Sequence, residues 1–105
     1  MQDLWLGIVE LLAPSRCVGC EEPSPSVLCS ACEVLVERSS SPSAVFQYGG
    51  PVADAIHRYK YRGRSDLSRA LGSLMADAAT AWAGRIDAVV PVPLHWRRRR
   101  SRGYD

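Results

Sequence analysis

The stretch Cys17-Val18-Gly19-Cys20, followed after eight residues by Cys29-Ser30-Ala31-Cys32, decides how the rest of the chain is read. A CxxC turn aims two sulfurs at one locus. Two such turns brought together make a tetrahedral four-thiolate cage that suits zinc. Protein ligands then fill every coordination position, so Cys17, Cys20, Cys29 and Cys32 predict a structural Zn2+ and not a catalytic one. Residues 15–38 need such support, because Val18, Val27, Leu28, Val34 and Leu35 are the only local core available. Paired disulfides would belong to an exported protein, yet Met1-Gln2-Asp3 places an acid where an export signal carries a base. A thioredoxin-type redox pair needs one CxxC at a helix start after a strand. Here there are two, flanked by Pro23, Ser24, Pro25 and Ser26. An iron site stays open, since tetrathiolate geometry does not choose between iron and zinc.

On the N-terminal side, residues 1–14 predict a short amphipathic helix. Leu4, Trp5, Ile8, Val9, Leu11 and Leu12 recur at three- and four-residue spacing, Asp3 can cap the start, and Pro14 stops it. Its apolar stripe is expected to pack on the rest of the chain. A membrane-surface helix would carry Lys and Arg on its polar face, and this one does not.

On the C-terminal side, a short helix is expected from Cys29 to about Glu37, and residues 39–44 are a serine-rich linker. Residues 45–105 then alternate strand and helix signals. Val45-Phe46-Gln47-Tyr48 predicts a strand closed by Gly49-Gly50-Pro51. Val52, Ala55, Ile56 and Tyr59 line a helix running to about Tyr61, and Arg62-Gly63-Arg64 makes a turn. Ser65 is expected to cap a longer helix with Leu67, Leu71, Leu74, Met75, Ala78 and Trp82, ended by Gly84. The apolar run Ala88-Val89-Val90-Pro91-Val92 predicts a parallel strand buried on both faces, ending or lying at an edge at Pro91, followed by an arginine-rich loop. Two strands and two helices do not complete a doubly wound sheet. Residues 45–105 are therefore expected to be the front part of an α/β domain in a longer protein, with a miniature α+β domain as the alternative.

Composition limits the function classes. Hydrophobic residues make up 47% and charged residues 23% of 105, which excludes wholesale disorder. No run reaches the roughly 18 apolar residues of a membrane span, and a cytoplasmic location is expected. Charge is divided. Residues 1–44 hold six acids and two bases, residues 45–105 eleven bases and five acids. The metal segment carries Glu21, Glu22, Glu33 and Glu37, so it suits protein contact better than phosphate. The basic side peaks at Arg97-Arg98-Arg99-Arg100-Ser101-Arg102, which either binds phosphate-bearing partners or is simply solvated. His57 has no acid placed to orient it, Asp54 serving equally as a helix-start charge. Lys60-Tyr61-Arg62-Gly63-Arg64 either borders a ligand crevice or just joins two helices.

Asp87-Ala88-Val89-Val90-Pro91-Val92-Pro93-Leu94-His95, followed by Arg102-Gly103-Tyr104, resembles the ComF family (competence protein F, also called GntX). Members carry a VPVPL strand and an arginine-rich loop ending in RGFNQ. The two CxxC pairs resemble that family's N-terminal zinc ribbon. Tyr48-Gly49-Gly50-Pro51, Ile56-His57 and Lys60-Tyr61-Arg62-Gly63-Arg64 resemble its Y-x-G-P…IH-x-LKYRGR segment. The sequence departs from the pattern at Tyr59, at Trp96 and at Asp105, where Leu, Pro and Asn are usual.

The resemblance implies a small four-cysteine zinc ribbon followed by an incomplete type I phosphoribosyltransferase-like α/β domain, with a role in competence and the uptake of transforming DNA. It implies a competence helicase or other DNA-processing protein as partner, and phosphoribosyl pyrophosphate or nucleic acid as ligand of the full-length protein. It makes the loop the pyrophosphate side, with Arg102 and Gly103 as the phosphate-binding residues. Arg102 can donate a bidentate pair and Gly103 permits close backbone approach. The family's phosphoribosyl-pyrophosphate loop, two acids and a Thr/Gly turn, does not occur within the 105 residues, so this chain alone is expected to be inactive as a transferase. The alternative is a small zinc-ribbon adaptor that binds a partner protein or nucleic acid.

Overall fold

The computed structural model describes residues 2–105. Among these residues, five helices order the chain: α1 (Gln2–Leu12), α2 (Ser30–Leu35), α3 (Gly50–Tyr61), α4 (Ser68–Ala79) and α5 (Trp96–Arg102). Single 3-10 turns at Ser65–Leu67 and Thr80–Trp82 flank α4. Among the described residues there is no sheet, only the isolated antiparallel bridges Arg16–Pro23 and Arg38–Phe46.

The metal segment folds by backbone bonds between its own arms. The Arg16–Pro23 bridge closes the first CxxC turn, with the Cys17 amide donating to Glu22 O (2.8 Å) and the Ser24 amide to Ser15 O (2.9 Å). The Val18 amide donates to Val27 O at 2.8 Å and draws the second arm alongside. Cys29 then caps α2, its Sγ accepting from the Cys32 amide at 3.4 Å. The second CxxC turn is thus the first turn of a helix, and its two sulfurs share one side of it. The serine-rich residues 39–44 form a loop whose ends are pinned, because the Gln47 amide donates to Glu37 O (2.7 Å) and the Ser39 amide to Val45 O (3.0 Å).

Helix α3 follows its sequence signals. Pro51 occupies the first turn, where its missing N–H costs no helical bond. Pro51, Val52 and Ala55 are buried at helical spacing. Pro51 and Ala55 meet the four-cysteine segment directly, so a single core of Cys17, Val18, Leu28, Cys32, Ala55 and Leu67 runs from the cysteines to the start of α4. Tyr59, Ala70, Leu71 and Leu74 pack on its rim.

Several expectations are corrected. The expected strand at residues 45–48 reduces to one bridge, in which Phe46 pairs with Arg38. The expected buried strand at residues 88–92 is an exposed extended run, Val90 being 83% and Val92 94% exposed. No strand lies beside it among the described residues, and Pro91 and Pro93 withhold two of the N–H groups a ladder would need. The α/β domain is therefore not what residues 45–105 form here. Ser65 opens a 3-10 turn, and α4 begins at Ser68. The arginine-rich loop is helix α5. Arginine is a strong helix former, His95 caps the start by accepting from the Arg97 amide (3.2 Å), and Gly103 closes the end in the left-handed region at φ 89°.

Helix α1 forms as expected, but its apolar stripe does not pack. Every described side chain on it is exposed, Trp5 by 67%. The core closes on Val18, Leu28, Ala55 and Leu67 without it. No helix among the described residues is long and apolar enough to cross a membrane.

Candidate metal centre and basic cleft

The four cysteines converge. Their Sγ atoms all lie within 4.8 Å of one another. A cation about 2.3 Å from each corner of a tetrahedron sets neighbouring sulfurs about 3.8 Å apart, and Cys20 Sγ and Cys29 Sγ are 3.7 Å apart. No pair is bridged covalently. Cys17 and Cys32 are buried, Cys29 is half-buried and Cys20 is exposed, so the cluster sits at the edge of the core with one ligand facing solvent. The donor set and the spacing fit a metal ion held by protein alone.

The fold shifts the thiols of the cluster in opposite directions. Burial pushes the Cys17 thiol up, but amides of Cys20, Cys29 and Gly19 outweigh it and bring the group down from 9.0 to about 6. The Gly19 and Cys29 amides lie 3.3 and 3.2 Å from that sulfur. Burial, together with hydrogen bonding to the other three thiols, drives Cys32 up to about 12. Cys20 is also raised: the Glu22 amide lowers it, but desolvation and the Cys29 and Cys17 thiols outweigh that.

A thiol depressed by the fold stabilises it above the ordinary thiol range and loses that contribution as pH falls through about 6. A thiol raised by the fold stabilises its neutral form below that range and loses this toward pH 12. Within the fold Cys17 is therefore the readiest thiolate of these three, and Cys20 and Cys32 must lose a proton to ligate a metal.

Gly19 sits where the first CxxC turn meets α3. A Cβ on it would lie 2.7 Å from Pro51 Cβ and 3.0 Å from Cys32 Sγ. Neither neighbour can move easily, one being a proline ring and the other a ligand atom. Gly19→Ala is expected to destabilise the fold by about 1–3 kcal/mol, read as a lower midpoint in chemical denaturation. An unchanged midpoint would mean the turn and α3 are not in contact.

Two charged residues that sequence reasoning passed over tie this turn to α3. Arg58 Nη2 donates to Val18 O (2.5 Å) and Gly19 O (2.7 Å). Its Nε lies 3.7 Å from Glu21 Oε1, within ion-pair range but beyond a hydrogen bond. Glu21 also accepts from Arg64 Nη1. Arg64 chelates Asp66 at 3.0 and 3.1 Å, and these bonds hold the Asp66 carboxyl below its ordinary range. The signal for Arg58 was present in the sequence, since it follows Ala55 by three residues on the buried face of α3. Nothing in the sequence marks Glu21.

The second feature is a cleft of about 420 Å³ where two sequence motifs meet. Lys60, Tyr61 and Gly63 form one wall, and Arg97, Arg98 and Arg102 the other. Arg102 stacks its guanidinium 5.8 Å from the centre of the Tyr61 ring. Helix α5 is fastened to α3 behind the cleft. Tyr59 donates its hydroxyl to Asp105 O at 2.9 Å, Tyr104 donates its own to Tyr59 O, and the rings lie 5.1 Å apart. Arg102 therefore lies in the cleft, while Gly103 serves as the cap of α5. Lys60–Arg64 does more than join helices, because its Lys60, Tyr61 and Gly63 line the cleft. His57 lies tilted against Tyr61, the ring centres 5.1 Å apart, and faces a neighbouring opening with Asp54, Arg58, Arg62 and Arg64. Comparison with protein-family models, with curated proteins and with solved structures yields no match to this chain.

Proposed function

We propose that the chain is a structural-zinc module carrying a phosphate-binding cleft, related to ComF-like, phosphoribosyltransferase-type proteins that act on incoming DNA. One observation carries this reading: Lys60, Gly63, Arg97, Arg98 and Arg102, contributed by two separate basic motifs, converge on one open cleft. Such a concentration of guanidinium groups with no carboxylate in the lining suits a polyanion. Zinc is the proposed ion because a closed four-thiolate set performs a structural task and leaves no position for substrate. Elemental analysis of purified protein that returned iron would reject zinc.

The anion reading is tested by titrating inorganic phosphate into the wild-type protein and into Arg102→Ala. Arg102→Ala is expected to bind about 10-fold more weakly, the loss of one charge-assisted contact. Equal affinity removes the cleft from the site.

A nucleic-acid-binding adaptor is the second reading, favoured by exposed rings beside the charges. Tyr61 and Trp96 are exposed, and Arg97 lies 5.3 Å from the centre of the Trp96 ring. Interleaved rings and guanidinium groups fit a single strand, whose bases stack while its phosphates pair. Binding of a single-stranded oligonucleotide that weakens steeply with salt, alongside weak phosphate binding, supports this reading over the first.

A further inference from the structure

We propose that Glu21 is a positioning residue that holds the basic cleft in shape from the metal-binding turn. The inference rests on the reading of that cleft as an anion site. Glu21 is an acid in the company of Arg58 and Arg64, 3.7 Å from the first and hydrogen-bonded to the second. It immediately follows Cys20, so its backbone is placed by a metal ligand. Its own φ of 66° lies in the left-handed region, where glycine would be unstrained. That conformation turns the carboxylate toward Arg64, which leaves the α3 end one residue after Gly63. Gly63 and the two residues before Arg62 line the cleft. Arg58, on the same helix, is bonded to the carbonyls of Val18 and Gly19 in that turn. The last turn of α3 and the Arg62-Gly63-Arg64 turn are therefore held at two points by the segment that binds metal.

Plain electrostatics predicts the opposite consequence to positioning. Removing a carboxylate from between Arg58 and Arg64 raises the local positive potential and tightens anion binding. Losing a positioning contact loosens the Gly63 wall and weakens it. The sign of the change separates the two.

The experiment uses the full chain loaded with zinc, as wild type, Glu21→Gln and Arg64→Gln, with metal content measured in each. Inorganic phosphate is the probe, and amide hydrogen exchange across residues 60–67 is followed in parallel. Glu21→Gln is expected to keep its metal, to bind phosphate about threefold to tenfold more weakly, and to exchange faster in the Arg62–Arg64 turn, as Arg64→Gln does. Tighter or unchanged phosphate binding overturns the proposal, and so does unchanged exchange in the turn. Loss of metal from Glu21→Gln overturns it too, because the effect would then run through the metal centre. If wild-type protein binds no phosphate, the anion reading fails by itself, and the exchange measurements still decide whether Glu21 holds the turn.

Discussion

Stripping the metal with a chelator is expected to abolish the cooperative thermal transition of the chain, and not merely to lower its midpoint. The cysteines are not appended to a core that exists without them. Cys17 and Cys32 are core residues, touching the same cluster as Val18, Leu28, Ala55 and Leu67. A structural zinc in a small four-ligand module contributes about 10–16 kcal/mol of apparent binding free energy at neutral pH. That equals or exceeds the entire net stability of an ordinary domain, about 5–15 kcal/mol. Without the cation, Cys32 is a buried neutral thiol pushed up to about 12. Cys32→Ser should reproduce the effect of chelation, since it removes one ligand and leaves a hydroxyl in the core. Far-ultraviolet circular dichroism against temperature reads the result. A chelated protein that still melts sharply, near the temperature of the untreated one, would show that the cysteines are bystanders to folding.

Arg58→Ala is expected to cost about 2–3 kcal/mol in the metal-loaded protein. Its guanidinium makes two charge-assisted bonds to carbonyls of the first CxxC turn, and bonds of that kind are worth about 1.5–3 kcal/mol each before solvent exposure is discounted. The side chain is 21% exposed, and discounting for solvent brings the total to or just below the bottom of the sum. The fork geometry also matters. One Nη atom reaches two carbonyls while Nε lies toward Glu21. Lysine carries the charge on one flexible point and cannot reproduce that arrangement. Arg58→Lys should therefore recover less than half of the loss in urea denaturation. A lysine variant as stable as the wild type would mean that only the charge matters.

The four-cysteine cluster was legible because its information is local. Two CxxC turns need no knowledge of the rest of the fold to point their sulfurs, and the helix that begins at Ser30 follows from Cys29 as its cap. Helix α3 was legible for a similar reason, with Pro51 opening it and an apolar stripe of Val52 and Ala55. The strands were not, because a strand is a statement about a neighbour. Val45–Tyr48 and Ala88–Val92 carry β-forming residues, yet one meets a single bridge and the other meets no strand. The arginine run reads as a loop from its charge alone, although its caps at His95 and Gly103 are visible in the sequence. The cleft required tertiary contact. Lys60–Arg64 and Arg97–Arg102 are more than thirty residues apart, and the Tyr59–Tyr104 pairing that fastens them follows no periodicity.

The exposed run from Ala88 to Val92 has a consequence for self-association. Unpaired valines in extended conformation are the raw material of fibrils, because their free amides and carbonyls can template a second copy. Pro91 and Pro93 stand two residues apart, so both remove donors from the same edge of the run. They act as gatekeepers: an approaching copy finds a broken row of donors on that side and cannot zip along it. The apolar surface is left open, while along that edge the chemistry that would turn it into an amyloid seed is withheld by two pyrrolidine rings.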